Sequence, residues 1–279
     1  MTRSVSSTQQ FESQPFGQTT FFGSLQIQLR VVKALIKRDI HARFGREGLG
    51  FLWLFLEPAM FTIGVAVIFT FFVGHDSRHS EIPVAGFALT GYSTILVWRG
   101  ITNRLLGAVS GNKGLLYHRN VKVIDLCFAR ALIETIACGT ALVFVTIVFW
   151  SLGIVSLPGD PLKALLGYFF YAWFSFNVAC IFAYLYSASE VVERVSHVVL
   201  YLTIPLTGGF YMVSWTPDSV QSFLLLSPLV NAIELLREGY FGMGVGAQYS
   251  ISFLLEVNLA LMLIGLILLR KIKRQLIDS

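Results

Sequence analysis

Apolar side chains in this chain gather into long runs, and charge is confined to the stretches between them. Six such runs, at 51–73, 82–105, 127–152, 162–188, 195–213 and 249–269, are each about 20 residues or longer. A helix rising 1.5 Å per residue crosses a hydrocarbon layer of about 30 Å in that length. The runs therefore predict six transmembrane helices. A shorter period precedes them. Leu25, Leu29, Val32, Ile36, Ile40 and Phe44 recur at steps of three and four, with Arg30, Lys33, Lys37 and His41 towards the opposite side. That is an amphipathic helix over 25–44, with too little apolar length to span, and it is expected to lie in the membrane interface. Arg43 falls on the apolar side of this wheel, so the helix should end near it. Gly45, Gly48 and Gly50 then let the chain turn into the bilayer.

Two connectors depart from ordinary loops. The stretch 104–130, RLLGAVSGNKGLLYHRNVKVIDLCFAR, carries Arg104, Lys113, Arg119, Lys122 and Arg130 against the single acid Asp125. Its middle, GLLYHRNV, has apolar and aromatic residues that a merely solvated loop does not need. It reads as a short cytoplasmic helix presented to a partner. Between the fifth and sixth runs, SVQSFLLLSPLV and NAIELLREGYFGM are too short to cross and too apolar for a wet loop, and Pro217 and Pro228 break them. Segments of this length predict re-entrant or interfacial helices, placed where they narrow the outer exit of a pathway. Residues 1–24, rich in Ser, Thr and Gln without a continuous apolar core, read as a mobile cytoplasmic tail and not a signal peptide. The expected fold is an all-α integral membrane protein: a tail over 1–24 and one transmembrane domain over 25–279.

Composition sharpens this picture. Of 279 residues 55% are hydrophobic and only 13% charged, where a soluble domain carries about a quarter charged. The net charge of +5 would suggest nucleic acid in a soluble protein. Here it belongs to cytoplasmic loops facing anionic lipid headgroups, and no nucleic-acid partner is expected. Lys and Arg number seven in the first 50 residues, five in 104–130, one at Arg194 and four after Leu269; the alternate connectors hold only Arg78, Lys163 and Arg237. Short basic loops stay on the cytoplasmic side, so both termini are expected inside. Cys127, Cys138 and Cys180 lie in or beside apolar runs with no CxxC pairing. They read as small packing residues, with neither disulfides nor a metal site indicated.

Several polar residues within the apolar runs admit two readings. Glu57, followed by Pro58, suits the first turns of a helix and its dipole, or forms a gate contact on the cytoplasmic side. Arg99 lies 17 residues past Ile82, about 25 Å in and near the inner face. It either snorkels to the headgroups or binds an anionic group of a phosphorylated substrate, with Arg43 and Arg46 as candidates for the same contact. Glu134 has Arg130 four residues earlier, and a structural pair within one helix is the favoured reading. Of the many aromatic residues, most face lipid or pack between helices. Tyr92, Trp98, Tyr168, Tyr171, Tyr201 and Tyr211, with Trp173, Tyr184 and Tyr186, are candidates for a lining that stacks on sugar faces. Enzyme signatures are absent from the sequence: GAVSGNKG has the wrong spacing for a phosphate-binding loop, and neither HExxH nor GxSxG occurs. The chain is therefore read as no enzyme, holding no cofactor or metal of its own.

Three stretches, RFGREGLGFLWLFLEP, GLLYHRNVKVIDLCFARALIE and SPLVNAIELLREGYF, resemble the membrane subunit of type-2 ABC exporters. More closely, they resemble the capsular polysaccharide export permeases of Gram-negative bacteria. The resemblance runs from about Leu25 to the C-terminus in the same order and spacing, although Asn120 stands where relatives often have Pro. It implies a homodimer of six-span permeases in the inner membrane, with two separate ATPase subunits that bind ATP and Mg. The 25–44 helix would lie at the inner interface. A coupling helix around 114–120, carrying Gly114, Leu115, Leu116, Tyr117, His118 and Arg119, would dock in the ATPase. The implied substrate is a lipid-linked acidic polysaccharide, handed to a periplasmic export protein and an outer-membrane channel. Rivals within the class export O-antigen, teichoic acid, a lipid or a drug. A membrane-embedded acyltransferase would need a buried base or metal set that the sequence does not offer. An ion-coupled carrier would want paired intramembrane acids or an inverted repeat.

Overall fold

The computed structural model describes residues 21–44, 50–73, 82–116, 121–188 and 190–278, and among them every regular element is helical. The α-helices are α1 (Phe21–Phe44), α2 (Gly50–Val73), α3 (Val84–Leu106), α4 (Lys113–Leu116), α5 (Val123–Ser151), α6 (Pro161–Ala188), α7 (Glu190–Leu202), α8 (Asp218–Leu224), α9 (Pro228–Phe241) and α10 (Ile251–Asp278). Residues 21–24 of the expected tail form the first turn of α1; residues 1–20 lie outside the described residues.

Among the described residues four helices are long and apolar enough to cross a membrane: α2 over Leu52–Phe72, α5, α6 over Pro161–Ser187 and α10 over Ile251–Ile272. The α8–α9 pair passes the same test only jointly, bent by 105°. The pair lies between the last two runs, with Pro228 at its bend. Two of the six expected spans take a different form. The run at 82–105 does become one long helix, α3, but it hides Thr90, Ser93, Thr94 and Thr102. Those polar residues are buried in a helix packed against α2, α5 and α6. Their threonine hydroxyls return to carbonyls one turn back, as Thr102 Oγ1 does to Trp98 O at 2.6 Å, so the backbone itself satisfies them. The run at 195–213 is interrupted. α7 ends at Leu202, a 3₁₀ turn covers Ile204–Thr207, and Gly208 follows at φ +77°. Pro205 supplies no N–H, and the left-handed glycine ends the turn.

The bundle closes tightly where α6 crosses α9. A Cβ added to Gly167 would come within 2.4 Å of the Leu236 backbone nitrogen, and one on Gly239 within 2.2 Å of that of Ala164. With lipid as solvent, helices gain little from hydrophobic exclusion and associate through such close backbone packing. α1 packs its later half, including Leu35, Ile36 and Ile40, on α5 and α2, while Phe22, Leu25 and Leu29 remain exposed.

Candidate functional site

Charged side chains from four helices meet at the end of the bundle that carries the basic connector. Glu134 sits on α5 about 16 Å from its start at 1.5 Å per residue. Its Oε1 accepts from Arg43 Nη1 of α1 at 2.6 Å and from Arg104 Nε of α3 at 3.0 Å. Arg43 also reaches Glu57 of α2 at 3.6 Å. Arg130 does not pair with Glu134 as the four-residue spacing suggested. Its Nε donates to Asp39 of α1 at 3.2 Å and its Nη1 to the Arg104 carbonyl at 2.9 Å. The tertiary partners win because α1 and α3 bring arginines directly over the buried Glu134 side chain, 9% exposed. An unpaired carboxylate there would cost several kcal/mol. Gly100 of α3 leaves the room: a Cβ at that position would lie 2.9 Å from Glu134 Oε2.

Two cavities flank this cluster. One, about 380 Å³, includes Asp39, Arg130 and Ile133 in its lining; the other, about 450 Å³, includes Glu57, Tyr92 and Arg99. Arg43, Asn103, Arg104 and Glu134 line both and form the wall between them. Arg43, Glu57 and Arg99, three of the four residues expected to contact a substrate or its lipid anchor, thus line one cavity. Arg46 lies outside the described residues. Arg99 is held by an aromatic hydroxyl: Nη2 donates to Tyr201 Oη at 3.3 Å, and the guanidinium lies 5.2 Å from that ring centroid. Among the described residues no carboxylate pairs with Arg99. Three arginines against two carboxylates make the larger cavity net positive. Guanidinium forks suit phosphate and carboxylate oxygens, so the chemistry on offer is anion binding. Among the described residues no group of three or more His, Cys, Asp or Glu is placed to hold a metal.

The connector and the aromatic candidates fall into distinct settings. A 3₁₀ turn over Ser110–Asn112 leads into α4, where Gly114 is exposed, Leu115 half-buried and Leu116 buried in the main core. Tyr117, His118 and Arg119 lie outside the described residues. Tyr92 lines the larger cavity and Tyr201 is 58% exposed beneath Arg99. Trp98, Tyr168 and Tyr171 are turned into the core. Trp98 Nε1 donates to Thr203 Oγ1 at 3.2 Å, and Tyr168 Oη to Thr135 O at 2.7 Å. Tyr211 is half-buried beside the 3₁₀ turn that follows α7.

One charged residue escaped the sequence reading. Arg237, counted above among loop charges, is fully buried on α9. Its Nη1 donates to Gly208 O at 2.9 Å and Tyr211 O at 2.6 Å, its Nη2 to Gly209 O at 2.8 Å, and Phe87 covers it at 4.0 Å. Glu234, one turn earlier, accepts from the Val213 and Gln248 backbone N–H groups, both at 3.1 Å. The pair pins two irregular segments onto α9, satisfying backbone groups that no helix satisfies. The available signal was an acid and a base three residues apart inside the apolar run NAIELLREGYF.

Comparison with known proteins adds a family. The profile of the family described as ABC-2 type transporter matches residues 30–241. The capsule polysaccharide export inner-membrane protein BexB of Haemophilus influenzae is 35% identical over 257 residues, covering 92% of this chain and 96% of its own length. The corresponding protein CtrC of Neisseria meningitidis serogroup B is 33% identical over 256 residues, at 92% and 96% coverage. The polysialic acid transport protein KpsM of Escherichia coli is 29% identical over 258 residues, at 91% and 98%.

Proposed function

This chain belongs to the ABC-2 type transporter family, and on that premise we propose that it is the permease of a capsule-type polysaccharide exporter. It would move a lipid-linked acidic polysaccharide across the inner membrane of a Gram-negative cell, driven by a separate ATPase. The observation that carries this reading is similarity along more than nine-tenths of both chains to proteins named for capsule polysaccharide export. The net-positive cavity supports it, since an acidic polymer on a phosphorylated lipid is an anion.

In this reading the permease works as a homodimer with two ATPase subunits, which bind ATP and Mg. Both termini lie in the cytoplasm. Six crossings are formed by α2, α3, α5, α6, α7 with its following turn, and α10, while α1 lies at the inner interface and the bent α8–α9 pair at the outer exit. The exposed apolar stripe of α7, Val191, Val195, Val198 and Leu202, suits lipid or the second copy. Gly114, Leu115, Leu116, Tyr117, His118 and Arg119 dock in the ATPase, so closure on nucleotide pushes the connector and the helices it joins, α3 and α5. Arg43, Arg46, Glu57 and Arg99 receive the lipid phosphate. A long polymer cannot be enclosed in a pocket, and it slides past aromatic faces such as Tyr92 and Tyr201 in repeated small steps. A periplasmic export protein and an outer-membrane channel take it onward.

The test is genetic. Deleting this gene in its capsulated host should leave polymer inside the cell, and a plasmid copy should restore it to the surface. Tyr117→Asp should insert normally and fail to restore. Normal surface polymer in the deletion strain would refute the assignment.

A further inference from the structure

Glu134 stands where an external anion would stand. One of its oxygens, Oε1, is shared by Arg43 at 2.6 Å and Arg104 at 3.0 Å, and these three side chains form part of the wall between the two cavities. Each cavity adds an arginine of its own, Arg130 on one side and Arg99 on the other. A phosphate group offers several anionic oxygens in a tetrahedron and can engage two guanidinium forks at once, which one carboxylate oxygen cannot. A phosphate can therefore compete with the resident carboxylate for both arginines.

The same contacts hold α1 in place. Among the described residues its ionic ties to the rest of the bundle include Arg43 to Glu134, Arg43 to Glu57 and Asp39 to Arg130. Of these the Arg43–Glu134 pair is the shortest and the least exposed at its carboxylate. Arg130 also donates to the Arg104 carbonyl at 2.9 Å, and Arg104 and Arg130 are the first and last residues of the basic connector. The ties of α1 thus converge on the neck of that connector.

We propose that a phosphate group of net negative charge, on a lipid headgroup or free, enters either cavity and displaces Glu134 from Arg43 and Arg104, and that this exchange unfastens α1 from α5. The cluster is then an anion-operated latch, reporting an occupied site to the connector through the residues that bound it. The identity of the natural anion rests on the permease reading. The latch itself does not.

The experiment needs neither polymer nor ATPase, so its failure is separable from failure of the export reading. Full-length protein bearing His41→Cys, an exposed position on α1, takes a spin label there, since Cys127, Cys138 and Cys180 are buried. It is studied in nanodiscs of phosphatidylcholine, of phosphatidylcholine with phosphatidylglycerol, and of phosphatidylcholine with soluble glycerol phosphate. The mobile fraction should rise about tenfold with phosphatidylglycerol, the ratio expected from losing one charge-assisted hydrogen bond. A response to glycerol phosphate alone would also support the exchange and assign it to a free phosphate. Glu134→Gln should be mobile in phosphatidylcholine already, and Arg43→Gln mobile and indifferent to the lipid. A label equally immobile in all three conditions in the otherwise native protein overturns the latch. So does an unchanged lipid response in Arg43→Gln.

Discussion

Arg43 and Glu134 are 91 residues apart in the chain and 2.6 Å apart in space. Their ion pair joins the amphipathic first helix to the long apolar helix α5, and Arg104 of α3 closes on the same carboxylate oxygen. An acid inside an apolar segment is costly unless paired. It is paired here by two different helices, so it serves as a joint between them.

The joint should be measurable as coupling. Removing one partner of a largely buried pair costs about 3 kcal/mol or more, so Glu134→Ala should lower unfolding stability in detergent by that order. A double-mutant cycle between Arg43→Ala and Glu134→Ala should give a coupling of about 1–3 kcal/mol. A cycle between Arg130→Ala and Glu134→Ala should give a clearly smaller value, because Arg130 bonds to Asp39 and to the Arg104 carbonyl instead.

Close backbone packing makes a second prediction. Gly239→Ala and Gly167→Ala would each drive a methyl into the neighbouring main chain, at 2.2 and 2.4 Å. Backbone cannot swing aside as a side chain can, so both variants should lose folded protein, read as monodisperse yield after extraction. Gly64→Ala on α2 has nothing within 4 Å. It should be neutral or more stable by about 0.5–1 kcal/mol, the difference in helix propensity.

Arg237 should be among the least replaceable residues in the chain. Arg237→Met leaves the Gly208, Gly209 and Tyr211 carbonyls without their donor, at about 1–3 kcal/mol for each buried group left unsatisfied. Arg237→Lys keeps the charge but not the planar fork and should rescue only in part. Limited proteolysis of the 203–217 segment checks this, with cleavage expected in both variants and faster in Arg237→Met.

At Arg99 the expected effects are functional. Arg99→Ala should reduce export while leaving folded yield intact, and Arg99→Lys should retain part of it. Tyr201→Phe loses the 3.3 Å hydrogen bond but keeps the ring beneath the guanidinium, so it should act more mildly than Tyr201→Ala. Surface polymer per cell is the readout.

The long elements were legible because lipid-facing helices must be apolar on most sides. α2, α5 and α6 lie within a few residues of the runs that announced them, while α10 starts two residues into its run and continues nine residues past it. α3 met the length expectation but sits among other helices, where Thr90, Thr94 and Thr102 bond to their own backbone and dilute the apolar signal. The fifth run read as continuous because hydropathy averages over Pro205 and Gly208, the two residues that break it. At the site, Arg43, Glu57 and Arg99 were legible as charges out of place. Their common cavity was not, since nothing local indicates that residues 43, 104 and 134 meet. The i, i+4 rule favoured Arg130 for Glu134 because it sees one helix at a time. Arg237 was lost to charge counting, which treats a cation between apolar runs as a wet one.

Reconstitution tests the central claim most directly. The chain is placed in sealed vesicles with its ATPase, and lipid-linked polymer is supplied on the ATPase side. Polymer should appear in the lumen only when both the ATPase and ATP are present, and Tyr117→Asp should abolish it. Luminal polymer delivered by the chain alone, without ATPase or nucleotide, would contradict the account.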